Sequence, residues 1–191
     1  MTSIPSASYK ITWSPFPELN TERCILRRIV PEDAPRVFLG LSHPEVTEHY
    51  GVRYHSLEHT QVQMDWFEDI YASGTGIWWG IALRSQPEQL IGATGLNDLV
   101  IEHRRAEMGY WLLPEWWRQG LARECVSAML NFAFTTLQLY RIGAEADFDN
   151  EPSIQLLKKL GFKHEGVRRA FEFKNGAPLD LLQFSQLASD R

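Results

Sequence analysis

Residues 106 to 137 constrain this chain more than any other stretch. "AEMGYWLL" (106–113) is an apolar and aromatic run of strand length, halted by Pro114, which cannot donate to a sheet ladder. From Ala122 the period changes. Ala122, Cys125, Val126, Met129, Leu130, Ala133, Phe134 and Leu137 recur at steps of three and four, the apolar face of a helix packed on a sheet. Between the two stands "PEWWRQGLARE" (114–124). A helix that only needed a start would carry Ser, Thr, Asp or Asn at its N-cap, whose side-chain oxygen accepts the free amide protons of the first turn. No such residue precedes Gly120. The first-turn amides are left for another acceptor, with the helix dipole behind them and Arg118 and Arg123 beside them. Gly120 and Ala122 are small enough for a diphosphate to reach the backbone, so this stretch predicts an anion site of phosphate type. The plainer alternative is a glycine-containing loop before an ordinary helix. The GxGxxG and GxxxxGK[ST] patterns are absent, which removes the usual nicotinamide and nucleoside-triphosphate readings.

The remaining elements alternate in type. "RCILRRI" (23–29) reads as a strand and "PEDAPRVFLGL" (31–41) as a helix opened by acidic residues. Ser56 can cap a helix carrying Val62, Trp66 and Ile70 and ending near Gly74. "IWWGIAL" (77–83) and "LIGATGL" (90–96) read as a hairpin across the polar turn "RSQPEQ". "RIGAEA" (141–146) is strand-like. "DNEPSIQLLKKLGF" is a complete short helix with Asn150 as cap, Pro152 in the first turn and Gly161 as stop. "AFEFKNGAPLDLLQFSQL" offers two strands around Asn175–Gly176. The sum is an α+β domain, a mostly antiparallel sheet with helices on its faces, spanning residues 21–188 behind an extended, proline-bearing arm at 1–20.

Several classes are set aside. The net charge of −5 over 191 residues argues against nucleic acid as partner; it suits a cationic substrate and equally suits plain solubility. No segment approaches the roughly 18 apolar residues of a membrane span, and the first 20 residues lack a basic start followed by an apolar run, so no signal peptide and no membrane partner are expected. Cys24 and Cys125 lie in apolar patterns and read as reduced core residues of a cytoplasmic protein. His55 and His59 form an i, i+4 pair with no third ligand nearby, so no metal is expected.

"RAEMGYWLLPEWWRQGLARECV" (105–126) strongly resembles motif A of the GNAT acetyltransferase superfamily, in the branch typified by the RimJ and RimL ribosomal-protein N-acetyltransferases. Gly109-Tyr110-Trp111, Trp117, Gly120, Ala122 and Glu124 stand at matching places, Trp117 taking the position of the general signature's Gln or Arg, as is usual in this branch. "TERCILRR", "LIGATGL", "NEPSIQLLKKLGF", "EGVRR" and a late "NG" followed by Asp180 match in order, so the resemblance covers about residues 21 to 188.

The resemblance implies an acetyl-CoA co-substrate and no metal. It implies that the pyrophosphate sits on the backbone amides of Gln119, Gly120, Leu121, Ala122 and Arg123, with Trp117 and Arg118 beside it. The pantetheine would run along Trp111, Leu112 and Leu113 like an added strand, and "AEMGYWLL" and "RIGAEA" would splay apart to admit the thioester. Glu107 resembles the general-base glutamate of histone-acetylating members, with an exposed strand-edge carboxylate as the alternative; Asp98, Glu102 and His103 are the next candidates. Many relatives place a thiolate-binding tyrosine where this chain has Leu157. Ser153 fits instead the N-x-x-S pattern of the RimL-like branch, where a serine lies near the sulfur; a first-turn serine capping its own helix is the alternative. Asn150 would cap that helix and touch the pantetheine.

The acceptor is less defined. The resemblance implies a groove bordered by "LSHPEVTEHYGVRYHSLEH" (41–59) and "RRAFEFKNGAPLD" (168–180). Tyr50, Tyr54, Trp66, Trp78 and Trp79 could line it, although such residues are more often core. Glu45, Glu48 and Glu58 would attract a cation or are solvated surface charges. The expected activity is N-acetylation of a primary amine, with a protein or peptide α-amine first. A polyamine, amino acid or aminoglycoside-like amine is the alternative, as is a non-catalytic acetyl-CoA sensor. Monomer and homodimer both remain open.

Overall fold

A computed structural model describes residues 13–174 and 176–191. The first twelve residues of the expected arm, and Asn175 of the expected turn, lie outside the described residues. Eight strands form one sheet: β1 (Leu19–Asn20), β2 (Cys24–Arg28), β3 (Ile77–Leu83), β4 (Gln86–Val100), β5 (Arg105–Leu112), β6 (Arg141–Asp147), β7 (Lys163–Lys174) and β8 (Ala177–Leu187). Their spatial order is β1-β2-β3-β4-β5-β6-β8-β7. Among the described residues every pairing is antiparallel except β5 with β6.

Helices α1 (Ala34–Ser42), α2 (Pro44–Thr47) and α3 (Leu57–Ser73) bury one face of the sheet in a core of Val37, Leu41, Met64, Phe67, Trp78 and Trp111. On the other face α4 (Leu121–Thr135) and α5 (Glu151–Lys159) cover Ala106, Met108, Leu112, Ile142, Ala144 and Phe184. Strand alternation thus sends even-numbered residues of β5 and β6 toward α4 and α5, and odd-numbered ones toward α1 to α3. The described part of the arm lies on the α4 face, where Trp79 Nε1 donates to the Pro17 carbonyl at 2.6 Å and Trp13 packs against Phe132.

Local chemistry explains the ends. Ser56 caps α3 by accepting from the His59 amide at 3.1 Å, and Gly74 ends it at φ +73°. Three expectations shift. The polar turn after β3 shrinks to Arg84 and Ser85, because β4 already begins at Gln86. Strand β7 begins at Lys163, before the aromatic run. As the edge strand it is mostly exposed and lacks an apolar alternation to announce it. His55 precedes the Ser56 cap and stands outside α3, so the two histidines do not share a helix face. Cys24 and Cys125 are free, buried thiols of the α4-face core. Among the described residues no helix is long and apolar enough to cross a membrane.

Candidate active site

The loop from β5 to α4 is built as its sequence requires. Gly120 is the N-cap of α4 at φ +79°, and no side chain caps the helix. Arg118 also holds a left-handed φ of +59°, a conformation that disfavours L-residues and collects at functional loops. A partner 101 residues away holds the turn: Arg23 donates through its backbone amide and Nε to the Glu124 carboxylate at 2.8 and 2.7 Å, and through Nη1 to the Gln119 carbonyl at 2.9 Å. This ties the Glu124 charge down at the positive end of α4 and leaves the amides of the first turn open. Trp117 Nε1 donates to the Leu112 carbonyl at 2.7 Å and pins the loop to the end of β5.

Below the loop the sheet opens. β5 and β6 pair only from Arg105 to Glu107 against Arg141 to Gly143, while β5 continues to Leu112 and β6 to Asp147. The ladder with β4 decides which backbone groups face this gap. Leu113 donates its amide to the Ile91 carbonyl at 2.9 Å, and the antiparallel alternation then turns Gly109, Trp111 and Leu113 toward β4. Tyr110 and Leu112 direct their amides and carbonyls into the gap. Of the three residues expected to pair with an added strand, Leu112 is therefore available; the backbone groups of Trp111 and Leu113 are spent on β4. The Leu112 carbonyl is also taken, by Trp117.

Glu107 stands on β5 at the point of divergence, opposite Gly143. Its carboxylate lies over Gly143, where a Cβ would come within 2.5 Å of Glu107 Cδ. The absent side chain is what admits it. Burial and the nearby Glu145 carboxylate push the Glu107 carboxyl above its usual range, against the pull of Arg141 and Arg105. Asp98 is close enough to add to the rise, whereas Glu102 and His103 are exposed in the turn before β5.

Across the gap, on the α5 face, Asn150 caps α5 by accepting from the Ser153 amide at 3.2 Å. Ser153 is thus relieved of capping, and its Oγ accepts a hydrogen bond from the Tyr110 hydroxyl at 3.0 Å. Burial holds the Tyr110 phenol above its usual range, so it stays protonated and donating at neutral pH. Tyr110 is a candidate that sequence reasoning did not single out for chemistry. Its one signal was parity, since it shares a strand face with Met108 and Leu112. Leu157 is buried in the core, 1% exposed.

The groove-side residues sort as follows. Trp79 belongs to the α4-face core and Trp78 to the opposite core, both at most 5% exposed, so neither lines a groove. Tyr50, Tyr54 and Trp66 are half-buried against the α1–α3 core. Glu45, Glu48 and Glu58 are exposed. The end of β6 is joined to both borders, because Asp147 Oδ2 lies 3.1 Å from His49 Nδ1 and accepts from Lys174 Nζ at 3.1 Å. His49, Asp147 and Asp149 offer ligand atoms within 4.8 Å of one another, and Lys174 pairs with Asp147.

Residues 23–163 match the family described as acetyltransferase (GNAT) domain. The chain is 43% identical over 171 residues to the uncharacterized N-acetyltransferase YoaA of Bacillus subtilis (strain 168), covering 89% of this chain and 96% of that protein. It is 35% identical over 85 residues to the spermidine N(1)-acetyltransferase of Escherichia coli (strain K12), 44% of this chain and 46% of that one. Its fold superposes on RimL, described as a ribosomal L7/L12 alpha-N-protein acetyltransferase in complex with coenzyme A, with a TM-score of 0.81 at 18% identity, covering 92% of this chain and 100% of that chain.

Proposed function

The chain belongs to the GNAT acetyltransferase family, and from that premise we propose that it moves an acetyl group from acetyl-CoA to a peptide or protein N-terminal α-amine in the gap between β5 and β6. The uncapped start of α4 fits a diphosphate, with the amides of Gln119 to Arg123 as donors and Arg118 and Arg123 as counter-charges. Tyr110 and Leu112 fit an amide-bearing arm, since their backbone groups face the gap. Acetyl-CoA supplies the activated acyl group; everything else falls to the protein.

Glu107 accepts the proton that the attacking amine must lose, directly or through water. Its raised pKa makes it a stronger base than an ordinary carboxylate. Ser153 donates a hydrogen bond to the departing sulfur. A hydroxyl is a poor acid for a thiolate of pKa about 8.5, so its role is to stabilise charge, with Tyr110 polarising it from behind. The two groups lie on opposite faces of the sheet, so amine and sulfur meet across the gap.

One observation carries the choice of acceptor. Around Glu107, three carboxylates of β6 and β7 are already ion-paired. Glu145 pairs with Arg168, Glu165 with Arg141, and Asp147 with His49 and Lys174. Glu107 has no ion-pair partner among the described residues, nor has Asp98 on β4 near it. So few free carboxylates suit one amine at a time, whereas a polyamine calls for several. An α-amine of pKa about 8 also needs less help from a base than an ε- or polyamine near 10.

The test is free-thiol release from acetyl-CoA over a panel of N-terminal peptides, spermidine and an aminoglycoside. Turnover on peptides, with kcat/KM levelling by about pH 8.5, is expected. Turnover confined to spermidine or the aminoglycoside would overturn the acceptor assignment, and no thiol release from any of them would favour a non-catalytic sensor.

A further inference from the structure

Trp78, Gly95 and Gly109 form one rung of the sheet across β3, β4 and β5, and the Trp78 ring lies along it on the face that carries Glu107. A Cβ at Gly95 would come within 2.5 Å of Trp78 Cδ1, and one at Gly109 within 2.9 Å of Cη2 and 3.0 Å of Cζ2. Neither glycine has a positive φ, so both are bare to make room and not to allow a turn. The far end of the indole therefore stands over β5 at Gly109. That is the first residue of Glu107's parity beyond the last β5–β6 pair, Glu107 with Gly143. Glu107 is two positions back, about 7 Å along the strand.

The next position of that parity is filled as well, but in another way. A Cβ at Gly40 would come within 2.7 Å of Trp111 Cε3, so the backbone of α1 presses on the Trp111 ring. Trp78 is held by side chains of α3: Trp66 meets it edge-on at 5.7 Å between centroids, and Phe67 tilted at 5.6 Å. Its Nε1 is buried without a hydrogen-bond partner. No polar contact fixes the indole, and a buried unpaired donor is destabilising where a smaller apolar side chain would not be. What the indole contributes here is bulk.

Trp78 is 5% exposed and lines no groove; it fills one. We propose that this ring sets the upper size of the group that an acceptor amine may carry. An amine that reaches Glu107 from the gap has its substituent on the α1–α3 face, and the indole occupies the β5 bank of that face. The inference rests on the acceptor reading above and deepens it: an amine behind a small first residue passes, and one behind a branched or aromatic first residue does not.

A steric wall differs from a polar contact in that shortening it adds substrates. Trp78→Phe keeps the part of the ring over Gly95 and withdraws the part over Gly109. Thiol release from acetyl-CoA is compared for peptides identical except for a first residue of Ala, Leu or Phe. Wild type should favour Ala in kcat/KM on the order of 10- to 100-fold, the scale of forcing extra methylenes into a packed site. Trp78→Phe should bring that ratio to within a few-fold of one, chiefly through faster turnover of the Leu and Phe peptides, and Trp78→Leu should do the same. Each ratio is taken within one sample, so a loss of folded material does not move it. Equal wild-type rates on all three peptides, or a preference that both variants keep, would overturn the proposal. Wild-type turnover of spermidine with no peptide accepted would instead refute the acceptor reading on which it stands.

Discussion

Gly143 offers a way to displace the candidate base without touching it. The residue sits in the middle of the sheet, paired with Glu107 where β5 and β6 begin to part. A Cβ there would come within 2.2 Å of Glu107 Oε2, whereas ordinary contact begins at 3.4 Å, so Gly143→Ala obliges the carboxyl to move by about 1.2 Å. The end of a glutamate side chain can make that move at little expense to the fold, and alanine is favoured over glycine in a strand by about 0.5–1 kcal/mol. Catalysis is less forgiving. A misplacement of about 1 Å can cost on the order of 10²-fold in rate, or about 2.7 kcal/mol of barrier.

We therefore expect Gly143→Ala to lower kcat about 10²-fold with its Tm and its coenzyme A affinity close to wild type. Initial rates of thiol release, thermal denaturation and calorimetry give the three readouts. The decisive comparison is the double variant. With Glu107→Gln already in place, adding Gly143→Ala should cost almost nothing more, because both changes remove one function. Two results would refute the reasoning: wild-type turnover by Gly143→Ala, or losses that simply add in the double variant, which would trace the damage to the sheet and not to the carboxylate.

Three further expectations follow from the same geometry. Burial and Glu145 raise the Glu107 pKa, so its stabilising contribution is complete below the unfolded carboxylate range and is lost as pH rises through the folded value; Glu107→Gln should thus have the higher Tm at neutral pH, an advantage that fades toward about pH 4, and wild-type kcat/KM should carry an acidic limb that the variant lacks. Tyr110→Phe and Ser153→Ala should each lower kcat about tenfold or more while leaving coenzyme A affinity nearly intact, since the hydrogen bond strengthens as charge develops on sulfur; a collapse of affinity at constant turnover per bound cofactor would make the pair a structural one. Gly120→Val forces a β-branched residue to φ +79° and covers the first-turn amides, which should weaken coenzyme A binding about 100-fold, or about 3 kcal/mol; unchanged binding by a folded variant would remove the diphosphate from this helix.

The elements that could be read in the sequence are those whose instructions are local. The start of α4 at Gly120, the Asn150 cap and the Gly161 stop each follow from neighbours within a few positions, and the apolar period of α4 needs only one helix face. The edge strand β7 opens on the polar Lys163, His164 and Glu165 and leaves Val167, Phe171 and Phe173 exposed, so it gives no such period. The site divides in the same way. Glu107 and Ser153 could be named from motifs, but their surroundings are assembled from afar: Tyr110 meets Ser153 across 43 positions, and Arg23 meets Glu124 across 101. Parity along β5 already separates Glu107 from Tyr110. Which parity turns its backbone to the gap depends on the ladder with β4, and that is why Leu112 is available and Trp111 and Leu113 are not.

The gap and the helix start are adjacent for a topological reason. Antiparallel neighbours can be joined by a short turn, as β3 joins β4 through Arg84 and Ser85. The parallel pair β5–β6 needs a crossover, and α4 is that crossover. A helix that leaves the carboxyl end of one parallel strand must begin at the end of the sheet where that strand stops, so its unpaired amides come to lie over the carboxyl ends of β5 and β6. Those are the ends that diverge here, beyond Glu107 and Gly143. The proposed ligand, with a diphosphate at one end and an extended arm at the other, would therefore be served by a single feature, the one change from antiparallel to parallel pairing among the described residues. Substitutions that close the divergence, such as one restoring ladder bonds beyond Gly143, should abolish turnover while leaving the anion site at Gly120 intact.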